Sequence, residues 1–223
     1  MIILHKKLLP YAGACLLTFL GMMGCVWRFA DNRPTWLGNL LQDKALVFLL
    51  TPMFLLGVHI ISKTLTPMVI LRTKSRRQAL FLELIQQYFF CFVYWTVWFT
   101  LAMVFSLLKF GSNAFTPADA LLFLGRYIRY LLGFGVMIDL VVLLKKSNIK
   151  TLASVSSILV YIFFALELIS ILPLLDKYTR FDNLRLVFAW MLYGGTAAPV
   201  VLGIFLLILT GGLVMAARRE ELF

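Results

Sequence analysis

The stretch from Lys63 to Gln78, KTLTPMVILRTKSRRQ, interrupts an otherwise almost continuously apolar chain, and its reading decides the fold. Five cations and no acid fall between Lys63 and Arg77, a density that a hydrocarbon interior does not accept, so the segment connects two membrane-crossing helices. It carries two helix starts. Thr66 ahead of Pro67 suits an N-cap followed by proline at the first helical position, and Ser75 with Gln78 three residues on suits a capping box. The expectation is a short helix at the membrane surface, Pro67 to Lys74, then a turn into the next span. On spacing alone, a loop that only fixes orientation and holds anionic lipid fits the same cations.

Composition sets the class. With 62% hydrophobic and 14% charged residues and a mean hydropathy of +0.94, the chain departs from soluble domains, in which about half the residues are apolar. The pattern predicts an all-α polytopic membrane protein, a single domain over residues 1–223. Six spans are read at 8–27, 45–62, 81–108, 121–144, 152–174 and 187–216, each long enough to cross about 30 Å of hydrocarbon.

The net charge of +11 does not point to nucleic acid, because the cations flank the spans instead of forming one solvated face. In a six-span arrangement one side holds Lys6, Lys7, Lys63, Arg72, Lys74, Arg76, Arg77, Lys145, Lys146, Lys150, Arg218 and Arg219, twelve of the 21 cations. The other side holds nine: Arg28, Arg33, Lys44, Lys109, Arg126, Arg129, Lys177, Arg180 and Arg185. The bias places both termini in the cytoplasm. Lys6 and Lys7 before an apolar run imitate a secretory signal, and Gly24-Cys25 imitates a lipoprotein cleavage site, but the stretch is read as a retained span. Cys15, Cys25 and Cys91 lack CxxC spacing and a nearby histidine cluster, so they read as small packing residues, with no metal site or disulfide framework implied.

Depth along the helices sorts the intramembrane charges. Counting about 1.5 Å per residue, Asp139 lies about 9 Å inside the Lys145 boundary, Arg129 about 24 Å inside it, and Glu167 about 25 Å beyond Lys150. Arg129 and Glu167 therefore share a level near the outer face, where pairing would offset the cost of their charges. Asp139 has no partner in its own span; Lys145 folding back, or a cation of another chain, is the simplest expectation.

The last apolar stretch, Leu186 to Ala217, exceeds one upright span of about 20 residues. With Gly194, Gly195 and Pro199 in its first half, it reads as a broken element: a short outer helix from Val187 to Tyr193, a turn at the glycines, and a crossing from about Thr196 to Met215. A single tilted helix kinked at Pro199 is the alternative. The segment Pro117 to Arg129 poses a similar question, as an outer interfacial helix ahead of the fourth span.

Catalytic patterns are absent from the sequence: no GxxxxGK[ST], HExxH or GxSxG motif and no paired carboxylates in a span. His5 and His59 are the only histidines, and His59 reads as a polar anchor at the edge of the second span. Trp27, Trp36, Trp95, Trp98 and Trp190 suit interfacial belts and packing. An integral membrane enzyme is disfavoured.

The order of these features resembles the membrane subunit of a type-2 ATP-binding-cassette exporter, in particular the small six-span permeases of bacterial lantibiotic and bacteriocin export or immunity systems. Three places carry the likeness: Val69 to Gln78, VILRTKSRRQ; Leu143 to Lys150, LLKKSNIK; and Ala216 to Phe223, AARREELF. The resemblance implies a multi-pass protein of the bacterial cell membrane, with Pro67 to Lys74 as a cytoplasmic coupling helix docked in a groove of a separate cytosolic ATPase. Met68, Val69 and Leu71 would fill that groove, while Arg72, Lys74 and Arg76, following the cap at Ser75, would meet acidic residues at its rim. Lys145, Lys146 and Lys150 would form a second, smaller contact. It further implies a second permease subunit, ATP and Mg on the partner ATPase with no cofactor on this chain, and an outer gate at Tyr193, Gly194, Gly195 and Pro199. Two alternatives use other chemistry. A membrane substrate-binding component of a vitamin-uptake transporter would couple through small residues of the first span, here Gly13, Ala14 and Gly21. A membrane scaffold protein would need no ATPase.

Overall fold

The computed structural model describes residues 2–29, 32, 36, 45–72, 75–146, 150–169, 191 and 197–220; side chains at 2–7, 47, 64–72, 76–77, 113, 150–153, 167–169 and 217–220 are outside that description. The described elements are helical. They comprise α1 (Ile2–Phe29), a π-helical turn (Leu46–Leu50) running into α2 (Thr51–Arg72), α3 (Arg76–Phe110), a 3-10 turn (Gly111–Asn113), α4 (Pro117–Lys145), α5 (Lys150–Ile169) and α6 (Ala198–Glu220). Four helices are long and apolar enough to cross a membrane, over Leu8–Phe29, Gln78–Phe110, Pro117–Lys145 and Ala198–Ala216. The spans expected at 45–62 and 152–174 correspond to shorter apolar helical stretches, Phe48–Lys63 and Ser154–Leu166.

Local chemistry explains the helix ends. Ser75 takes an extended conformation and its Oγ accepts from the Gln78 N–H at 3.2 Å, so the N-cap read from the sequence starts α3. Thr116 caps α4 through a full capping box with Asp119, and Pro117 follows in the first turn, where its missing N–H costs nothing. Gly111, at φ +59°, ends α3 in a backbone region that side chains with a Cβ disfavour. Pro52 removes the N–H that would reach back one helical turn, and the turn just before it is widened to π geometry. Three hydroxyls cover carbonyls around this irregularity: Thr51 donates to Leu46 O, Tyr94 to Leu50 O and Tyr11 to Met53 O, each at 2.8 Å.

Two expectations change. No helix start occurs at Thr66 and Pro67; α2 continues through both to Arg72, because proline deletes only one ladder bond and the flanking residues keep the helical path. Lys74 lies outside the described residues. The segment Pro117 to Arg129 is no separate interfacial helix but the first half of α4, whose capping box sets a single start. Pro199 stands in the first turn of α6, close to the expected start of the crossing near Thr196. Tyr193, Gly194 and Gly195 lie outside the described residues.

Contacts fix the directions of α1, α2 and α4 against α3. Phe19 meets Tyr94 and Trp98, and Trp27 meets Phe105, so α1 runs parallel to α3. Tyr94 contacts Phe54 while Glu83 contacts Ser62, so α2 runs antiparallel to α3. Trp95 packs on Phe134 and Phe99 on Phe123, which makes α4 antiparallel to α3 as well. The basic connections after α2 and after α4 therefore share one end of the bundle with the N-terminus of α1. α3 and α4 form its centre: α4 touches α3, α5 and α6, and α3 touches α1, α2, α4 and α6.

Aromatic rings fill the middle. Trp95 and Phe134 lie 4.6 Å apart, Phe54 and Phe134 4.8 Å, and Trp95 and Tyr130 4.9 Å, joining α2, α3 and α4. Such contact geometry matters because lipid tails are as apolar as the rings, so packing drives association in place of the hydrophobic effect. Trp95 and Trp98 are thus core residues and not belt residues. Gly57 is required by this packing: a Cβ there would collide with the rings of Phe90 and Tyr11. Gly57→Ala should therefore lower the melting temperature of the detergent-solubilised protein, with an overpacking cost of about 1–3 kcal/mol. Gly24→Ala, where a Cβ meets nothing within 4 Å, should leave that temperature unchanged or raised.

Candidate functional site

Two polar clusters interrupt the apolar bundle toward its basic end. In the first, Glu83 on α3 is the hub. Its Oε1 accepts from Lys145 Nζ on α4 at 2.9 Å, from Ser62 Oγ on α2 at 3.0 Å, and from Gln87 Nε2, one turn along α3, at 3.3 Å. Lys145 also donates to Ser62 Oγ. Glu83 and Gln87 are buried, while the Lys145 side chain keeps 34% of its exposure. In apolar surroundings a carboxylate is tolerated as an ion only when a cation and further donors surround it. Glu83 has both.

In the second cluster, Asp139 on α4 accepts from Tyr88 Oη at 2.5 Å through Oδ1 and from Thr210 Oγ1 at 2.7 Å through Oδ2. The two hydroxyls lie 3.0 Å apart, closing a triangle across α3, α4 and α6. Asp139 is fully buried. Lys145 does not fold back to Asp139, because the Glu83 carboxylate lies nearer the end of the bundle and captures it. Sequence reasoning singled out Asp139 and Lys145 but missed Glu83, Tyr88 and Thr210. Depth would have matched them: Glu83 to Tyr88 rises about 7.5 Å and Lys145 to Asp139 about 9 Å.

The remaining expected site residues fall as follows. Pro67, Met68, Val69, Leu71 and Arg72 occupy the far end of α2, beyond its apolar stretch, and their side chains lie outside the description. Ser75 is the cap of α3 and Arg76 its first residue. Lys146 is exposed at the end of α4, and Lys150 opens α5. The Ser62, Glu83 and Lys145 cluster joins α2, α3 and α4 on the side of the bundle where α2 and α4 end. Arg129 Nε donates to the Gly125 carbonyl of its own helix at 3.4 Å, and its expected partner, the Glu167 side chain, lies outside the described residues. At the opposite end Lys109 sits over the rings of Trp27, Trp36 and Phe110, with its Nζ 5.2 Å from the Trp36 centroid.

Comparison with protein-family models, with curated proteins and with solved structures found no match to the chain.

Breaking the ion pair from one side should cost more than removing it whole. Lys145→Met takes the Lys145 ammonium from the buried Glu83 carboxylate, and the expected destabilisation is about 3 kcal/mol, the lower end for a broken buried pair because Lys145 is partly exposed. Adding Glu83→Gln to that variant should recover most of the loss in melting temperature. In the second cluster, Tyr88→Phe and Thr210→Val should each cost about 0.6–1.7 kcal/mol, as is usual between membrane helices. Their effects should be non-additive in a double-mutant cycle, since both act on one carboxylate.

Proposed function

We propose that this chain is the membrane-spanning permease subunit of an ATP-binding-cassette exporter, moving a peptide-like or amphipathic substrate outward with ATP hydrolysed by a separate cytosolic subunit. One observation carries the reading. α2 continues past the end of its apolar stretch at Lys63 as far as Arg72, an extension of about 14 Å, and the chain returns at once through the Ser75 cap into α3. The described part of the basic segment is therefore helical up to Arg72 and again from Arg76. The form fits a docking element better than a lipid-holding loop, although it continues a span instead of lying flat.

The ion-pair cluster supports the same reading mechanically. Ser62 lies next to the base of this extension, Glu83 lies two turns into the returning helix, and Lys145 precedes the second basic connection. A push from an ATPase on either connection would pass through Glu83 into α2, α3 and α4 together, as rigid elements that share one buried charge. Both termini then lie on the cytoplasmic side, where the positive-inside bias puts this end. A second permease subunit, the same or a homologous chain, completes the path.

The vitamin-uptake reading retains one observation. At Gly13 and Gly21 on α1 an added Cβ would meet nothing within 4 Å, so the small-residue face of α1 is open to a partner helix. Co-purification of the tagged chain from its native membrane separates the readings. The expected result is recovery of a Walker-type ATPase with the wild type and its loss with Leu71→Asp and Arg72→Glu together. Equal recovery with both forms moves docking elsewhere and favours coupling through α1. No ATPase in gentle detergent sinks the permease reading.

A further inference from the structure

A groove of about 430 Å³ runs between α2 and α5, a size suited to a small-molecule or lipid ligand. Its lining is graded. Toward the basic end stand Lys63, His59, Ser154 and Ser157; deeper in stand Pro52, Leu55, Leu56 and Ile158, with the Tyr161 ring beside them. Along α2 the distance from Lys63 to Pro52 is about 16 Å, close to the hydrocarbon depth of one leaflet. Leu56 and Ile158 are each more than half exposed, so the apolar part of the groove opens sideways, toward where lipid tails lie.

We propose that this groove binds an anionic phospholipid, its headgroup phosphate held by Lys63, His59 and Ser154 and one acyl chain laid against Pro52, Leu56 and Ile158. The charge decides the occupant. The described lining contains a lysine and a histidine and no acid, and basic pockets between membrane helices at the cytoplasmic level recognise phosphate headgroups. The Lys63 ammonium would repel a cationic peptide, and a free anion would leave the apolar part of the groove unused. Serine hydroxyls and the imidazole N–H supply the donors a phosphate oxygen needs at short range. The inference depends on the membrane setting of the bundle and not on the exporter reading.

The test is native mass spectrometry of the full chain in mild detergent, titrated separately with phosphatidylglycerol, with phosphatidylcholine of the same chain length, and with a cationic amphipathic peptide. The expected result is retention of phosphatidylglycerol over phosphatidylcholine by at least about five-fold, the scale of one basic residue at a lipid headgroup. His59→Gln with Lys63→Gln should bring that ratio to one. Arg28→Gln, an exposed cation at the other end of the bundle, should leave it unchanged, and Ser157→Leu should reduce retention of both lipids by filling the groove. The substituted positions are exposed or half-buried, and a monodisperse elution profile for each variant verifies its fold. Equal retention of the two lipids by the wild type would overturn the proposal. So would a ratio as sensitive to Arg28→Gln as to the groove pair, or a preference for the peptide over either lipid.

Discussion

A carboxylate that stays ionised inside an apolar bundle needs a cation, and the pairing of Glu83 with Lys145 sets the alignment on which the rest of the structure depends. Left alone in such surroundings, the charge would cost several kcal/mol, more than the roughly 0.6 kcal/mol that an average hydrogen bond between membrane helices contributes. The pair therefore dominates the register of α3 against α4, and Ser62 adds α2 to the same point. Once Glu83 and Lys145 are opposite, the similar rise to Tyr88 on one helix and Asp139 on the other places the second polar cluster without further adjustment. Thr210 then draws α6 to the same level. Four helices are aligned by two carboxylates about two turns apart.

Above these clusters the alignment is continued by rings instead of charges. Trp95 lies against Phe134 and Tyr130, and Phe99 against Phe123 and Tyr127, so two successive turns of α3 meet aromatic partners on α4. At the far end the chemistry becomes mixed. Trp36 reaches in from between α1 and α2 to donate its indole N–H to Ser106 Oγ at 2.7 Å, and Ser106 passes its own hydroxyl hydrogen to the Ala102 carbonyl. Lys109 donates to the Trp27 carbonyl while its charge faces three rings, contacts that help keep an ammonium group at the apolar boundary. Among the described residues, an ion pair marks one end of the bundle and cation–π contacts the other.

Much of this was legible in the residues, and the parts that were not have physical causes. Long apolar runs flanked by cations declare membrane helices because no other backbone geometry satisfies its own hydrogen bonds in lipid. The cap at Ser75 was readable for the same local reason. Thr66 and Pro67 misled because a proline can begin a helix or be carried within one, and the choice lies in the conformation of the preceding residue, which the letters do not state. Asp139 was recognisable as a buried charge, but its partners are a tyrosine and a threonine, residue types common enough in membrane helices to carry no signal alone. Glu83 was hidden by its place near the start of a span, where a glutamate reads as a boundary residue. Only the pairing of depths across two helices reveals it.

Helix α2 shows how tightly these constraints combine. Phe54, Val58 and Ser62 recur every four residues and face α3, through the aromatic core and the Glu83 cluster. Leu55, His59 and Lys63, one position on, share the same spacing and line the groove against α5. Gly57 occupies the remaining side, where the rings of Tyr11 and Phe90 close in. Adjacent helical positions differ by about 100°, so three neighbouring faces of one helix carry three different environments: ionic and aromatic packing, an open amphipathic groove, and a close approach that admits only glycine. A rotation of α2 by one position would carry Val58 toward the place of Gly57 or His59 toward the core, and either move is blocked. Displacement along its own axis would pull Ser62 from Glu83 and Lys145, so the position of α2 along that axis is tied to α3 and α4.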